Sequence, residues 1–466
     1  MAFHLPESDF VGLDLARRPI ASGQAFALKL GLQNIELHSM NVRDATIERF
    51  GRFDFIIAHG LYSWVPELVR ERILAICREM LNPHGVAYIS YNAYPGNHLR
   101  DLVRGMMRFH TACFKDPAEK VGQARGLLKF LSESTPETDY YVAAIRGQFD
   151  RTTRYADEAF FHDDLSEVNQ SFYFYQFNSD AERHDLQFVG EASANDLQPG
   201  KFTSAVMERM QELERAPEAV REQYKDFFRG TAFRQTLLCQ KEIELSPDIL
   251  IDRIPRLYAS CDAVPQETGP DRDPTVTLFT RPRGAELETG HPLICAALKY
   301  LWSKWPGEVS FETLLGVARE AEAGKKNSDS KDQEAETLSV ALMRAYRSGF
   351  LHMHITPHQL TNAVSQYPSV SDLARQQLAD SQSATNQLHV AMNFPDALSR
   401  HLVQSLDGTR DQEALVRELV EFVRAGRGTL VENGATVEDP TEVATLLERR
   451  VREGLESLAR EGMLVS

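Results

Sequence analysis

The stretch Phe53–Asn92, FDFIIAHGLYSWVPELVRERILAICREMLNPHGVAYISYN, decides the fold. FDFIIA at 53–58 is an unbroken apolar run of strand length. PELVRERILAICREML at 66–81 spaces its apolar residues as a helix does behind an opening proline. VAYISY at 86–91 is a second strand, set off by the turn residues Asn82-Pro83-His84-Gly85. Strand, helix and strand in this rhythm predict a parallel, doubly wound sheet. The rhythm extends upstream through a strand at 9–15 (DFVGLDL), a helix from Ala16 to Gly31 and a strand at 35–40 (IELHSM). Such sheets bind ligands beyond the carboxyl ends of their strands, where Asp14, Asn41, His59 and Asn92 fall.

Each of these positions has two readings. Asp14 can accept both hydroxyls of a ribose, or cap the helix that follows. Asn41, or the Val42 backbone N–H, can read an adenine edge, with Asp44 as a rival that also reads as a turn acid. His59-Gly60-Leu61-Tyr62-Ser63-Trp64 is a glycine turn whose aromatics either wall a pocket or pack the core.

Composition narrows the classes. With 466 residues the chain should hold about three cores. It is 42% hydrophobic and 25% charged and has no apolar run near the roughly 18 residues that cross a bilayer, so membrane insertion is not expected. Met1–Asp9 lacks the pattern of a secretion signal, and the expected location is the cytoplasm. Five scattered cysteines suggest neither disulfides nor a thiolate zinc site. A net charge of −16 opposes attraction to nucleic acid, and no nucleic-acid partner is expected.

The segments FVGLDLARRPIASGQ, LGLQNIELHSMNV, GRFDFIIAHGLYSWVP and LNPHGVAYISYNAYPG, in that order, resemble the core of class I S-adenosylmethionine-dependent methyltransferases. The similarity is to the group with a methyltransferase regulatory domain, which includes bacterial protein-lysine methyltransferases of outer-membrane proteins. It covers about residues 9–110 and continues to about 240 through the aromatic run Phe172-Tyr173-Phe174-Tyr175 and DFFRGTAFRQTLLC at 226–239. The resemblance implies S-adenosyl-L-methionine as cofactor, held by Asp14, Leu15, Asn41, Val42, His59 and Gly60. It implies a methyl-transfer pocket lined by Tyr62, Trp64, Tyr91 and Asn92, and a protein substrate with a side chain such as lysine as acceptor. His162 and neighbouring acids can reach over that pocket as a lid, or belong to an ordinary aromatic core.

One departure stands out. A nucleoside-binding acid of this kind lies about 20 residues after a glycine-rich loop. Only 13 residues precede Asp14. The first strand and its loop are therefore expected to be missing from this chain, leaving a Rossmann-like sheet without its central strand and neighbouring strands unpaired. The alternative function is then a non-catalytic adaptor built on a degenerate methyltransferase half.

The expected organisation is a truncated methyltransferase core (1–115), a mainly helical, aromatic-rich regulatory domain (116–262), a linker (263–284) with prolines at 265, 270, 274 and 282, and two winged-helix-like modules (285–375 and 376–466). The modules repeat a pattern of three helices and a short strand, the first interrupted by a polar insert at 320–336. Their third helices lack a basic face, so protein recognition or self-association, including a homodimer, fits better than DNA binding. His352, His354 and His358 have no cysteine or carboxylate close by to complete a site and read as strand-end histidines, so no metal is assigned.

Overall fold

The computed structural model describes residues 1–134, 139–193, 202–246, 251–266, 276–282, 284–322, 331–358, 360–432, 435–437 and 439–465. They form two compact units, Val11–Ser22 with Glu36–Pro247, and Met1–Phe10 with Gly23–Ile35 and Asp248–Ser466. No described helix is long and apolar enough to cross a membrane.

β1 (Phe10–Asp14) and β2 (Ile35–Ser39), most of whose residues fall in the first unit, pair with each other, and α1 (Arg17–Lys29), between them in sequence, is divided between the two units. The short α2 (Ile47–Phe50) leads into β3 (Phe53–Ala58), α3 (Glu67–Met80) and β4 (Leu81–Asn92). The last two strands are parallel, as the apolar rhythm predicts. Asn82–Gly85 loops out as a bulge, so the register jumps from Phe53↔Leu81 to Phe55↔Val86. α3 sinks Ile73, Leu74, Cys77 and Met80 against the sheet, the face its periodicity marks.

Helices α4 (His98–Thr111), α5 (Pro117–Ser132), α6 (Tyr140–Thr152), α7 (Asp157–Leu165) and α8 (Phe174–Arg183) follow, then β5 (Leu186–Glu191), α9 (Ser204–Glu212), α10 (Glu218–Arg229) and β6 (Phe233–Gln240). β6 runs antiparallel to β4, and β5 antiparallel to β6, giving the order β3-β4-β6-β5. This differs from the expectation of a separate helical domain at 116–262, because that segment donates two strands to the main sheet. β6 escapes a hydrophobicity reading because Arg234 and Thr236 occupy two of its buried positions.

The β1–β2 pair and the four-stranded sheet are separate among the described residues. Between them lies an apolar cleft of about 190 Å³, lined by Val11, Leu13 and Val42 on one side and Phe53, Phe55 and Ile57 on the other. Phe55 is 71% and Ile57 52% exposed, an unusual apolar load for a strand with an open edge.

The second unit contains β7 (Tyr258–Ser260), β8 (Val264–Pro265), β9 (Thr277–Thr280), β10 (Glu286–Thr289), α11 (Pro292–Lys304), β11 (Val309–Ser310), α12 (Phe311–Glu322), α13 (Lys331–Arg347) and β12 (His352–His354). The expected linker is not a simple connection, since its described parts form β8 and β9 in a sheet ordered β10-β9-β8. Pro270 and Pro274, and residues 323–330 of the polar insert, lie outside the described residues.

The chain continues through β13 (Ser369–Val370), α14 (Asp372–Asp380), β14 (Ser383–Thr385), β15 (Ala391–Asn393), α15 (Ala397–Ser405), α16 (Gln412–Arg424), β16 (Val431–Glu432), β17 (Ala435–Thr436), α17 (Pro440–Arg460) and β18 (Leu464–Val465). Leu298, Leu314 and Leu342 belong to one buried cluster, and Leu402, Leu419 and Leu455 to another. β16 and β17 pair antiparallel, Val431 opposite Thr436, to make a small hairpin ahead of α17.

Candidate active site

The strand ends of the first unit carry the candidate residues in two groups. At the end of β1, Asp14 accepts the Ala16 N–H on Oδ1 at 2.7 Å, while its side chain stays open to solvent. Its backbone C=O accepts the Met40 N–H at 2.9 Å, which brings the β2 end, and with it Asn41, alongside. Leu15 is exposed. The Asn41 side chain accepts the Arg43 N–H at 3.0 Å and caps the short turn Val42–Asp44. Val42 faces the cleft.

The second group lies past β3 and β4. Gly60 adopts φ +64°, which favours glycine, and its N–H donates to Ser90 Oγ at 2.8 Å. A Cβ built at Gly60 would meet nothing within 4 Å, so space opens above this strand end. His59 Nδ1 lies 3.1 Å from the Tyr88 hydroxyl.

Asn92 is 3% exposed and acts as a joint. Its N–H donates to Ser63 Oγ at 2.8 Å, its C=O accepts the Phe172 N–H at 3.0 Å, and its side-chain amide donates to Asn169 Oδ1 at 2.8 Å. Asn169 in turn donates to the Asp163 carbonyl at 2.8 Å. On the neighbouring residues Trp64 and His162 stack, with ring centroids 6.1 Å apart. The buried Trp64 Nε1 has no hydrogen-bond partner among the described residues. His162 Nδ1 lies 2.9 Å from Asp163 Oδ1. The β4 end, the turn after β3 and the end of α7 therefore converge, joining Trp64, Asn92 and His162.

Two of the expected pocket residues have their rings in the aromatic core. Tyr62 is 1% and Tyr91 0% exposed, and both rings pack with Phe172 and Phe177. Burial raises both phenols above their ordinary range, so neither is poised for proton transfer. Their apolar ring area is better used in the core than at a solvent-facing wall.

Sequence reasoning missed the polar residues that brace this region. Arg234, 3% exposed, lies 4.0 Å over the Phe174 ring, with Glu222 at 2.6 Å, Glu191 at 3.3 Å and Asp226 at 3.3 Å. Burial pushes Asp226 up to about 6 against the pull of Arg234. Asp164, 1% exposed, is held by Arg100 at 2.8 Å and Arg151 at 2.6 Å, which anchors α7 beside His162. Each of these two clusters draws on members that lie far apart in sequence, so neither gave a local signal.

The expectation that no carboxylate approaches the histidines near β12 is also overturned. In the second unit Glu308 Oε1 lies 2.7 Å from His358 Nδ1 and 3.2 Å from His354 Nε2. A separation of 50 positions between Glu308 and His358 hides this pairing from any reading of local spacing.

Likeness to known proteins, and not the sheet order alone, puts the chain in the S-adenosylmethionine-dependent methyltransferase class. Within that class the chain is similar to protein lysine methyltransferases. Residues 366–463 match the model of the PKMT C-terminal winged helix domain, and residues 156–240 that of a "Predicted methyltransferase regulatory domain". The fold is similar to that of PKMT2 from Rickettsia typhi in complex with AdoHcy, with a TM-score of 0.86 and 26% identity over 100% of this chain and 91% of that one. The uncharacterized protein RP789 of Rickettsia prowazekii (strain Madrid E) is 28% identical across 99% of this chain and 83% of its own length. RP028 of the same organism is 35% identical over 40% of this chain and 74% of its own.

Proposed function

We propose that this chain binds S-adenosylmethionine and transfers its methyl group to a lysine side chain of a protein. One observation carries the reading: the full-length likeness to a structure solved with AdoHcy, the product of methyl donation. The donor supplies a methyl group on a sulfonium sulfur. Asp14, open to solvent at the β1 end, suits a pair of ribose hydroxyls. Asn41 and Val42 suit the base, and the space at Gly60, beside His59, suits the methionine end.

The transfer asks chiefly for alignment and exclusion of water. Trp64 gives the acceptor an aromatic wall with an unpaired indole N–H, and Asn92 fixes that wall relative to α7. His162, oriented by Asp163, is placed to take the amine proton.

The expected lack of a central strand also belongs to this reading. An added strand in the cleft between β1 and β3 would cover Phe55 and Ile57 and join the two sheets. The same open cleft favours the adaptor as second reading. Isothermal titration with S-adenosylmethionine tests both. Saturable binding, weakened at least tenfold by Asp14→Ala, is expected. An absence of binding heat would favour the adaptor.

A further inference from the structure

We propose that Glu308, His354 and His358 form a binding site for a divalent first-row metal ion of the zinc kind. The three candidate ligand atoms lie within 4.8 Å of one another. Two imidazole nitrogens and one carboxylate oxygen are a donor set that holds zinc in proteins, with water in the fourth position. At zinc–ligand distances of about 2.0–2.1 Å, a tetrahedral ion separates its ligands by about 3.3 Å. The 2.7 and 3.2 Å separations from Glu308 Oε1 are within a small side-chain adjustment of that spacing.

The surroundings favour an ion over a simple ion pair. The Glu308 side chain has 0% exposure, and a fully desolvated carboxylate calls for a compensating cation. His354 Nε2 is buried and has no hydrogen-bond partner among the described residues, although it lies 3.2 Å from Glu308 Oε1. The two imidazole planes stand at 89°, with centroids 5.2 Å apart, so their nitrogens approach the carboxylate from different directions.

The fold holds the set in place. β11, directly after Glu308, and β12, which ends at His354, both pair with β7, and Ser310 and His354 both register with Tyr258. The other carboxylate oxygen, Oε2, accepts the His358 backbone N–H at 2.9 Å, leaving Oε1 toward the histidines. A backbone donor that orients a ligating carboxylate is the usual outer support of a metal site.

The test uses the full chain, stripped with EDTA and titrated with ZnCl2 by calorimetry, with CoCl2 absorption as a second readout. One equivalent of zinc should bind, and cobalt should give visible bands of a low-symmetry nitrogen and oxygen site. Glu308→Gln and His354→Gln should each weaken zinc at least tenfold, with circular dichroism confirming that the variants are folded. His352→Ala, on the same strand but directed to Arg281, should leave binding unchanged. Failure of the wild-type chain to bind either ion would overturn the proposal. So would zinc binding that survives both glutamine substitutions, or a stability loss in those variants without any zinc binding by the wild type.

Discussion

The Asn92 side-chain amide reaches across 77 residues to donate to Asn169 Oδ1 at 2.8 Å, coupling the end of β4 to the segment after α7. With Ser63 on its own N–H and Phe172 on its C=O, Asn92 fixes three segments at once. Removing its side chain strands a partly buried acceptor, which costs about 1–3 kcal/mol. Asn92→Ala should lower the urea midpoint by a corresponding amount and reduce methyl transfer more than donor binding. Equal losses in both would show that Asn92 does not act on the acceptor side.

Gly96 makes the tightest backbone approach beside this site. A Cβ there would lie 2.2 Å from the Gly230 carbonyl oxygen and 2.8 Å from Ala232 Cβ, and the Gly96 N–H donates to the Thr231 carbonyl at 2.9 Å. Gly96→Ala must therefore push β4's exit away from the start of β6. Overpacking of this kind costs about 1–3 kcal/mol. Thermal unfolding should register the loss, while Gly105→Ala, whose added Cβ meets nothing within 4 Å, should not destabilise the chain.

Thiol chemistry should separate the cysteines. Cys77 is buried, and burial pushes its thiol up to about 12; Cys261 is likewise pushed up to about 11. Cys113 is exposed. Iodoacetamide at neutral pH should modify Cys113 first, and Cys77 and Cys261 only after denaturation, as peptide mass mapping will show. Early labelling of Cys77 would contradict its place on the buried face of α3.

Acid should loosen the C-terminal module. The Thr409 hydroxyl, with further help from the Thr409 N–H and Arg410, holds Asp407 down at about 2, below the usual 3.8. Because the folded-state value is depressed, the stabilisation is present above about 4 and is lost as pH falls toward 2. The unfolding midpoint of wild type should drop through this window more steeply than that of Asp407→Asn. Parallel curves would remove Asp407 as a contributor.

What the sequence reveals depends on how local the signal is. β3, α3 and β4 are legible because their apolar residues recur at strand and helix periods, and the structure places them within a few residues of the expected ends. β6 is obscured by Arg234 and Thr236, whose burial depends on Glu191 and Glu222 elsewhere in the chain. Tyr62 and Tyr91 mislead because a tyrosine ring fits a core or a pocket equally well, and only the presence of Phe172 and Phe177 decides. Glu308 could not be paired with His354 and His358 before the β11-β7-β12 sheet was known.

Methyl transfer to lysine is followed by the fate of a labelled methyl group. The chain is incubated with methyl-labelled S-adenosylmethionine and a bacterial protein extract, and the modified residue is identified by mass spectrometry. Methyl-lysine on protein is expected, formed in proportion to enzyme and reduced at least tenfold by Asp14→Ala. Labelled donor that binds or passes through without any methyl-lysine, or label that is unaffected by Asp14→Ala, would contradict it.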